Sequence, residues 1–254
     1  MELIGNLGAG GVLLMFLIGL FAGLVKGAVG FAMPTILISG LSSFLPVDIA
    51  LGVLILPTLA TNMAQALRQG LDAAWDTIRR FRLFLIVGFV CLVTSAQLVP
   101  VLAPRTLFLA IGIPVTIFAV VQLFRWRPQI RPEMRRRAEV AMAAIAGSIG
   151  GVSGVWGPPT VLYLTAIDAP KRDSVRAQGV IYGLGALALM SAHLMTGVVS
   201  SATLPVSSLM LIPAGIGMWF GFQVQDRLDQ ERFRKLTLFV LMIAGLNLIR
   251  RGLV

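Results

Sequence analysis

The chain has 254 residues, 57% of them hydrophobic and only 13% charged, and its mean hydropathy is +0.90. A soluble domain carries about 25% charged residues, so the composition excludes a water-facing globular protein and points to an all-α integral membrane protein. The net charge of +10 would suggest nucleic acid in a soluble chain; here the collection of Lys and Arg in cytoplasmic loops accounts for it, and no nucleic-acid partner is expected.

The N-terminus does not read as a secretory signal. Glu2 is its only charge before Lys26, and the apolar run outlasts a signal's hydrophobic region. The first apolar segment covers 10–45 and is broken by Gly27, Gly30 and Pro34. Spans are expected at 48–67, 83–102 and 105–124, with a polar stretch at 68–82. A basic loop follows, with Arg125, Arg127, Arg131, Arg135, Arg136 and Arg137. The second half repeats the layout: a broken segment at 138–167, then spans at 175–198, 204–224 and 233–249. Cys91 is the single cysteine and sits in an apolar run. It excludes an internal disulfide and a cysteine metal cluster, and its expected role is packing.

The repeat is visible residue by residue. Gly23, Gly27, Gly30 and Pro34 match Gly147, Gly151, Gly154 and Pro158 at an offset of 124, which Pro46 and Pro170 share. Gly52 and Gly70 match Gly179 and Gly197 at an offset of 127. Residues 1–127 and 128–254 are thus two repeats within one membrane domain.

Charge bias sets their relative orientation. If each broken segment crosses the membrane once, Lys and Arg divide 12 to 8 between the two sides. If each is a hairpin that returns to the side it entered, they divide 17 to 3, with only Arg105, Arg250 and Arg251 in the minority and Lys26 uncounted. The second arrangement fits the rule. It makes the halves inverted repeats, each a broken (re-entrant) hairpin plus three transmembrane helices, with both termini on the non-cytoplasmic side. Inverted repeats with broken helices recur in transporters, with the site at the midplane.

The paired elements GLVKGAVGFAMP from Gly23 and GSIGGVSGVWGPPTVLYL from Gly147 carry a family resemblance. So do ALRQGLD at 66–72 and DAPKRDSVRAQGV at 168–180. Together they resemble the sulfite exporter TauE/SafE family of bacterial permeases over nearly the whole chain. The resemblance implies a permease of the bacterial inner (cell) membrane for small sulfur-containing anions such as sulfite or organosulfonates. In the first element Val29, Phe31 and Met33 stand where more glycine is often seen in the family.

Irregular backbone within a bilayer must be buried in protein or line a cavity. The breaks at 27–34 and 151–159 are therefore where a substrate site is sought. Half-helix N-termini there could bind an anion through oriented N–H groups and the helix dipole. Glycines that only let helices approach closely are the other reading. The candidate substrate-binding residues at the first break are Lys26, Gly27, Gly30, Phe31 and Pro34. At the second they are Gly151, Gly154, Trp156, Gly157 and Pro158. Asn62, Gln65, Arg176 and Gln178 flank them on the following spans. Lys26 would attract an anion or snorkel to the interface. Arg176 would stand at a cytoplasmic mouth or only add to the charge bias. Phe31 and Trp156 would gate the cavity or pack. His193, the one histidine, reads as solvated near a helix end. No carboxylate lies deep within a span, so a proton relay is not expected.

The function expected is export by alternating access, assisted by an interior-negative potential. An anion channel and a proton-coupled importer of organic anions stay open as alternatives. A membrane-embedded enzyme is the weakest, because no His/Asp/Glu cluster or nucleophile–base pair lies in the spans. No metal and no cofactor are expected.

Overall fold

A computed structural model describes residues 2–124, 130–167, 169–196, 200, 203–227 and 229–253. The boundary expected between the two repeats, Arg125, Arg127 and Gly197 lie outside the described residues, and so does the side chain of His193. Among the described residues the chain is helical with no strand. Among the described residues, five helical stretches are long and apolar enough to cross a membrane: Gly8–Val29, Val47–Leu67, Arg82–Val101, Pro104–Leu123 and Leu204–Gln225.

The first broken segment forms α1 (Glu2–Val29) and α2 (Met33–Leu41). Gly40 of α2 lies against Ile18 of α1, so α2 folds back along α1. With 9 residues and a rise of 1.5 Å each, α2 reaches about 14 Å, roughly half of a hydrocarbon core. The second broken segment forms α7 (Arg135–Ser153) and α8 (Gly157–Ala166). The Ile130 N–H, just ahead of α7, donates to the carbonyl of Ala166 at 3.0 Å, so the end of α8 returns beside the start of α7. Both segments are hairpins with a short returning arm.

Between and after the hairpins stand α3 (Val47–Leu67), α4 (Leu71–Arg80), α5 (Arg82–Ala96) and α6 (Pro104–Leu123), then α9 (Lys171–Thr196), α10 (Leu204–Leu209), α11 (Leu211–Arg227) and α12 (Gln230–Leu253). Two of these depart from expectation. The stretch at 68–82, expected only to be polar, contains a helix, α4. The span at 204–224 is two helices, α10 and α11, meeting at Met210; Pro213 has no N–H to bond back to the Leu209 carbonyl, which interrupts the ladder there.

Glycine sets the packing. Gly19 lies against Met210 and Pro213, Gly23 against Ala214, and Gly27 against Met218 and Gly221, so α1 and α11 run parallel in close contact. Gly147 lies against Gly88 and Gly151 against Leu92 and Ser95, so α7 and α5 also run parallel. In contrast, Gly179 meets Ala66 and Gly183 meets Met63, so α3 and α9 are antiparallel. Gly112 meets Gly245 and Ile249 while Gly252 meets Leu109, so α6 and α12 are antiparallel as well. Without a hydrophobic drive between helices in lipid, backbone approach at small residues supplies the contact. Helix α3 is mostly enclosed, whereas α5 faces outward along most of its length. Outward-facing Leu17, Phe21, Ile86, Phe89, Ile117, Phe220, Phe239 and Ile243 form an apolar exterior suited to lipid.

Candidate functional site

The two breaks meet. At the first, the Gly30 N–H closes α1 on the Lys26 carbonyl at 2.7 Å, and the backbone then turns through the left-handed region at Gly30 (φ 89°) and Ala32 (φ 81°). A left-handed alanine costs about 1–2 kcal/mol, which marks the turn as held by its surroundings. Pro34 sits in the first turn of α2, where its missing N–H is no loss. At the second break the Gly154 N–H closes α7 on the Gly150 carbonyl at 2.7 Å. Gly154 also takes a positive φ, 69°, and Gly157, Pro158 and Pro159 begin α8.

Between the breaks lies a narrow cavity of about 20 Å³, room for about one water. Lys26, Phe31, Pro34 and Thr35 line it from the first hairpin, and Gly154, Trp156, Gly157 and Pro158 from the second. Ala32 and Val155 of the breaks, Asn62 of α3, Tyr182 of α9 and Leu241 of α12 complete the wall. The first turns of α2 and α8 both border it, so two helix N-termini with their positive dipole ends face one space.

Lys26 is the charge in this space, and it is buried at 2% exposure. Its ammonium donates to the Gly30 carbonyl at 3.0 Å and to Asn62 Oδ1, and it stands 5.2 Å from the centre of the Tyr182 ring. These partners are neutral dipoles and a π face; no carboxylate pairs with Lys26 among the described residues. Asn62 and Tyr182 come from two antiparallel helices, α3 and α9. The Tyr182 hydroxyl donates to the Gly157 carbonyl at 3.2 Å, and its ring lies 6.4 Å from that of Trp156. Phe31 meets Phe118 edge-on at 5.9 Å.

Gln65 and Gln178 converge just behind this wall on Gly30. A methyl group there would come within 3.0 Å of Gln178 Oε1 and 3.2 Å of Gln65 Nε2. Gln65 Nε2 donates to the Val175 carbonyl at 2.9 Å. Both amide oxygens, Gln65 Oε1 and Gln178 Oε1, are buried without a hydrogen-bond partner among the described residues.

The remaining candidates stand elsewhere. Gly27 packs against the α11 backbone, where a Cβ would lie 2.2 Å from the Met218 oxygen. Gly151 packs against α5, where a Cβ would lie 2.2 Å from the Leu92 oxygen. These two serve close helix approach, whereas Gly30 and Gly154 shape the breaks. Arg176 lies outside the cavity. Its guanidinium donates to Thr77 Oγ1 at 2.8 Å, to Gln69 Oε1 at 2.7 Å and to Asp173 Oδ1 at 2.9 Å, which fastens α9 to α4.

Sequence reasoning missed Ala32, Thr35, Val155, Tyr182 and Leu241. Tyr182 had a signal: it is four residues past Gln178, one helical turn along the same face. Thr35 and Leu241 had none, since nothing in their local sequence sets them apart from other span residues.

A narrow, partly open space with a buried Lys26 ammonium, the Asn62 amide and the starts of two helices has the polarity of an anion site. One of the comparisons bears on this. No curated protein and no solved structure matches the chain. The family described as Sulfite exporter TauE/SafE matches residues 15–248, nearly the whole length. With its apolar helices and its paired, glycine-packed hairpins, the chain belongs to the sulfite exporter TauE/SafE family of membrane transporters.

Proposed function

We propose that this protein exports small sulfur-containing anions, sulfite or a short organosulfonate, across a bacterial inner membrane by alternating access. The observation that carries this is Lys26: a buried ammonium at the meeting of two helix breaks, with neutral partners only. A buried charge is expensive unless balanced, and a bound anion balances it. The Asn62 amide and the N–H groups that open α2 and α8 would then hold the anion's oxygens, with Tyr182 bracing Gly157. Gln65 and Gln178 brace Gly30, keeping the first turn in its left-handed form.

The alternation rests on inverted halves. Corresponding helices, α3 with α9 and α6 with α12, run antiparallel, as a two-fold axis in the membrane plane requires. The contacts come in matched pairs: α1 with α11 corresponds to α7 with α5, and α10 on α3 to α4 on α9. The folded-back arms α2 and α8 support the hairpin arrangement that gives the 17 to 3 division of Lys and Arg. In it both termini lie outside the cytoplasm, and α4 and the start of α9 lie on the cytoplasmic side.

Export needs no carboxylate relay. An interior negative by roughly 100 mV favours exit of a monoanion by about 2.3 kcal/mol. In proteoliposomes loaded with sulfite, a valinomycin-imposed interior-negative potential should speed sulfite efflux, and an interior-positive one should slow it. Efflux that follows an imposed pH gradient and ignores the potential would instead favour the proton-coupled alternative.

A further inference from the structure

Helix α4 joins α3 to α5, two membrane spans, so both of its ends lie at one membrane surface. Its 10 residues are strongly two-faced. Ala74 and Thr77 are buried on the side that packs on α9. Leu71 and Trp75, one turn apart, are 74% and 54% exposed. Arg79, one turn further, carries its guanidinium 5.4 Å from the Trp75 ring centre, and Arg82 is exposed just beyond the helix. The exposed carboxylates of Asp72 and Asp76 project beside this stripe, about 100° round the helix from Leu71 and Trp75 respectively.

An apolar residue, an indole and a guanidinium in line along an exposed face are what a helix lying in the headgroup layer presents. Helix α10, which packs on α3 as α4 packs on α9, opens the apolar stretch 204–225 and has the sequence LPVSSL with no charge, so the basic stripe is particular to α4. The opposite face of α4 grips the start of α9: Thr77 Oγ1 accepts from Arg176 Nε at 2.8 Å, and Arg80 pairs with Asp173 at 3.5 Å. Helix α9 in turn carries Gln178 and Tyr182 to the cavity.

We infer that α4 is a docking surface for anionic phospholipid headgroups. Leu71 and Trp75 seat at the acyl boundary, and Arg79 and Arg82 hold the phosphate. Lipid bound there steadies the start of α9 through Thr77 and Arg176. The inference rests on the membrane reading and not on which anion is carried.

The test is native mass spectrometry of the full-length protein in detergent, titrated with phosphatidylglycerol or phosphatidylcholine. The wild type should retain phosphatidylglycerol preferentially. Arg79→Gln with Arg82→Gln should weaken that retention by roughly fivefold per arginine, with an unchanged melting temperature in lipid-free detergent. Trp75→Ala should lower retention of both lipids. Equal retention of the two lipids by the wild type would overturn the inference, and so would an undiminished preference in the double variant. Displacement of phosphatidylglycerol by inorganic phosphate would assign the arginines to free phosphate and overturn it too. No transport enters the readout, so failure of the export proposal and failure of this inference are separable.

Discussion

Lys26→Met should lower the rate of sulfite efflux from proteoliposomes by roughly tenfold to a hundredfold, the factor that losing one charge-assisted contact of about 1.5–3 kcal/mol gives. Methionine keeps most of the stem's volume and removes the ammonium. The groups it leaves, the Gly30 carbonyl and Asn62 Oδ1, lose a donor, which tends to destabilise. The buried charge itself disappears, which tends to stabilise. The melting temperature should therefore change little, and the variant should elute as a single species on size exclusion. Wild-type flux in this variant would remove Lys26 from the transport path and leave it a structural tie between α1 and α3.

Gly27→Leu should act in the opposite way, through the fold and not the chemistry. Its Cβ would stand 2.2 Å from the Met218 oxygen and 2.9 Å from the Gly221 Cα. Backbone cannot yield as a flexible side chain does, so α1 and α11 must separate along their whole contact. A cost of about 3 kcal/mol or more follows from such overpacking, read as a large fall in melting temperature or loss of folded protein from detergent extracts. Gly215→Leu is the matched control. It lies on the same helix α11, but nothing stands within 4 Å of its added Cβ, so its melting temperature should remain near wild type. A Gly27→Leu protein as stable as the control would mean the two helices do not meet as described.

Much of this was legible in the sequence, and the limits have physical causes. The 124-residue offset located both breaks, because glycine and proline interrupt a helix whatever surrounds it. It could not say which glycine does what. Gly27 and Gly30 belong to one motif, yet Gly27 meets a neighbouring helix and Gly30 turns the chain left-handed. Both tasks demand the absence of a Cβ, so the residue type is the same. Lys26, Asn62, Gln65 and Gln178 could be singled out because polar groups in apolar runs need partners. Which of them face the cavity and which brace Gly30 depends on how α3 and α9 cross. Arg176 shows the same limit: its position at a helix start was readable, but its three partners on α4, the α3–α4 turn and α9 were not.

Helix α4 is a different case. Its apolar residues Leu71, Ala74, Trp75 and Ile78 follow the helical period, so the helix was there to be read. Its charges place it below any hydropathy threshold for a span, and an interfacial helix is found by its two faces and not by its sum. Tyr182 was within reach by the same periodicity from Gln178.

In the proposed cycle, inverted halves open one anion site in turn to the two sides. Counterflow tests it most directly. Proteoliposomes preloaded with unlabelled sulfite and diluted into a trace of labelled sulfite should accumulate the label transiently above its equilibrium level. That overshoot should saturate with internal sulfite and vanish in Lys26→Met. Label that only equilibrates, at a rate that rises linearly with concentration, would contradict alternating access and identify a channel.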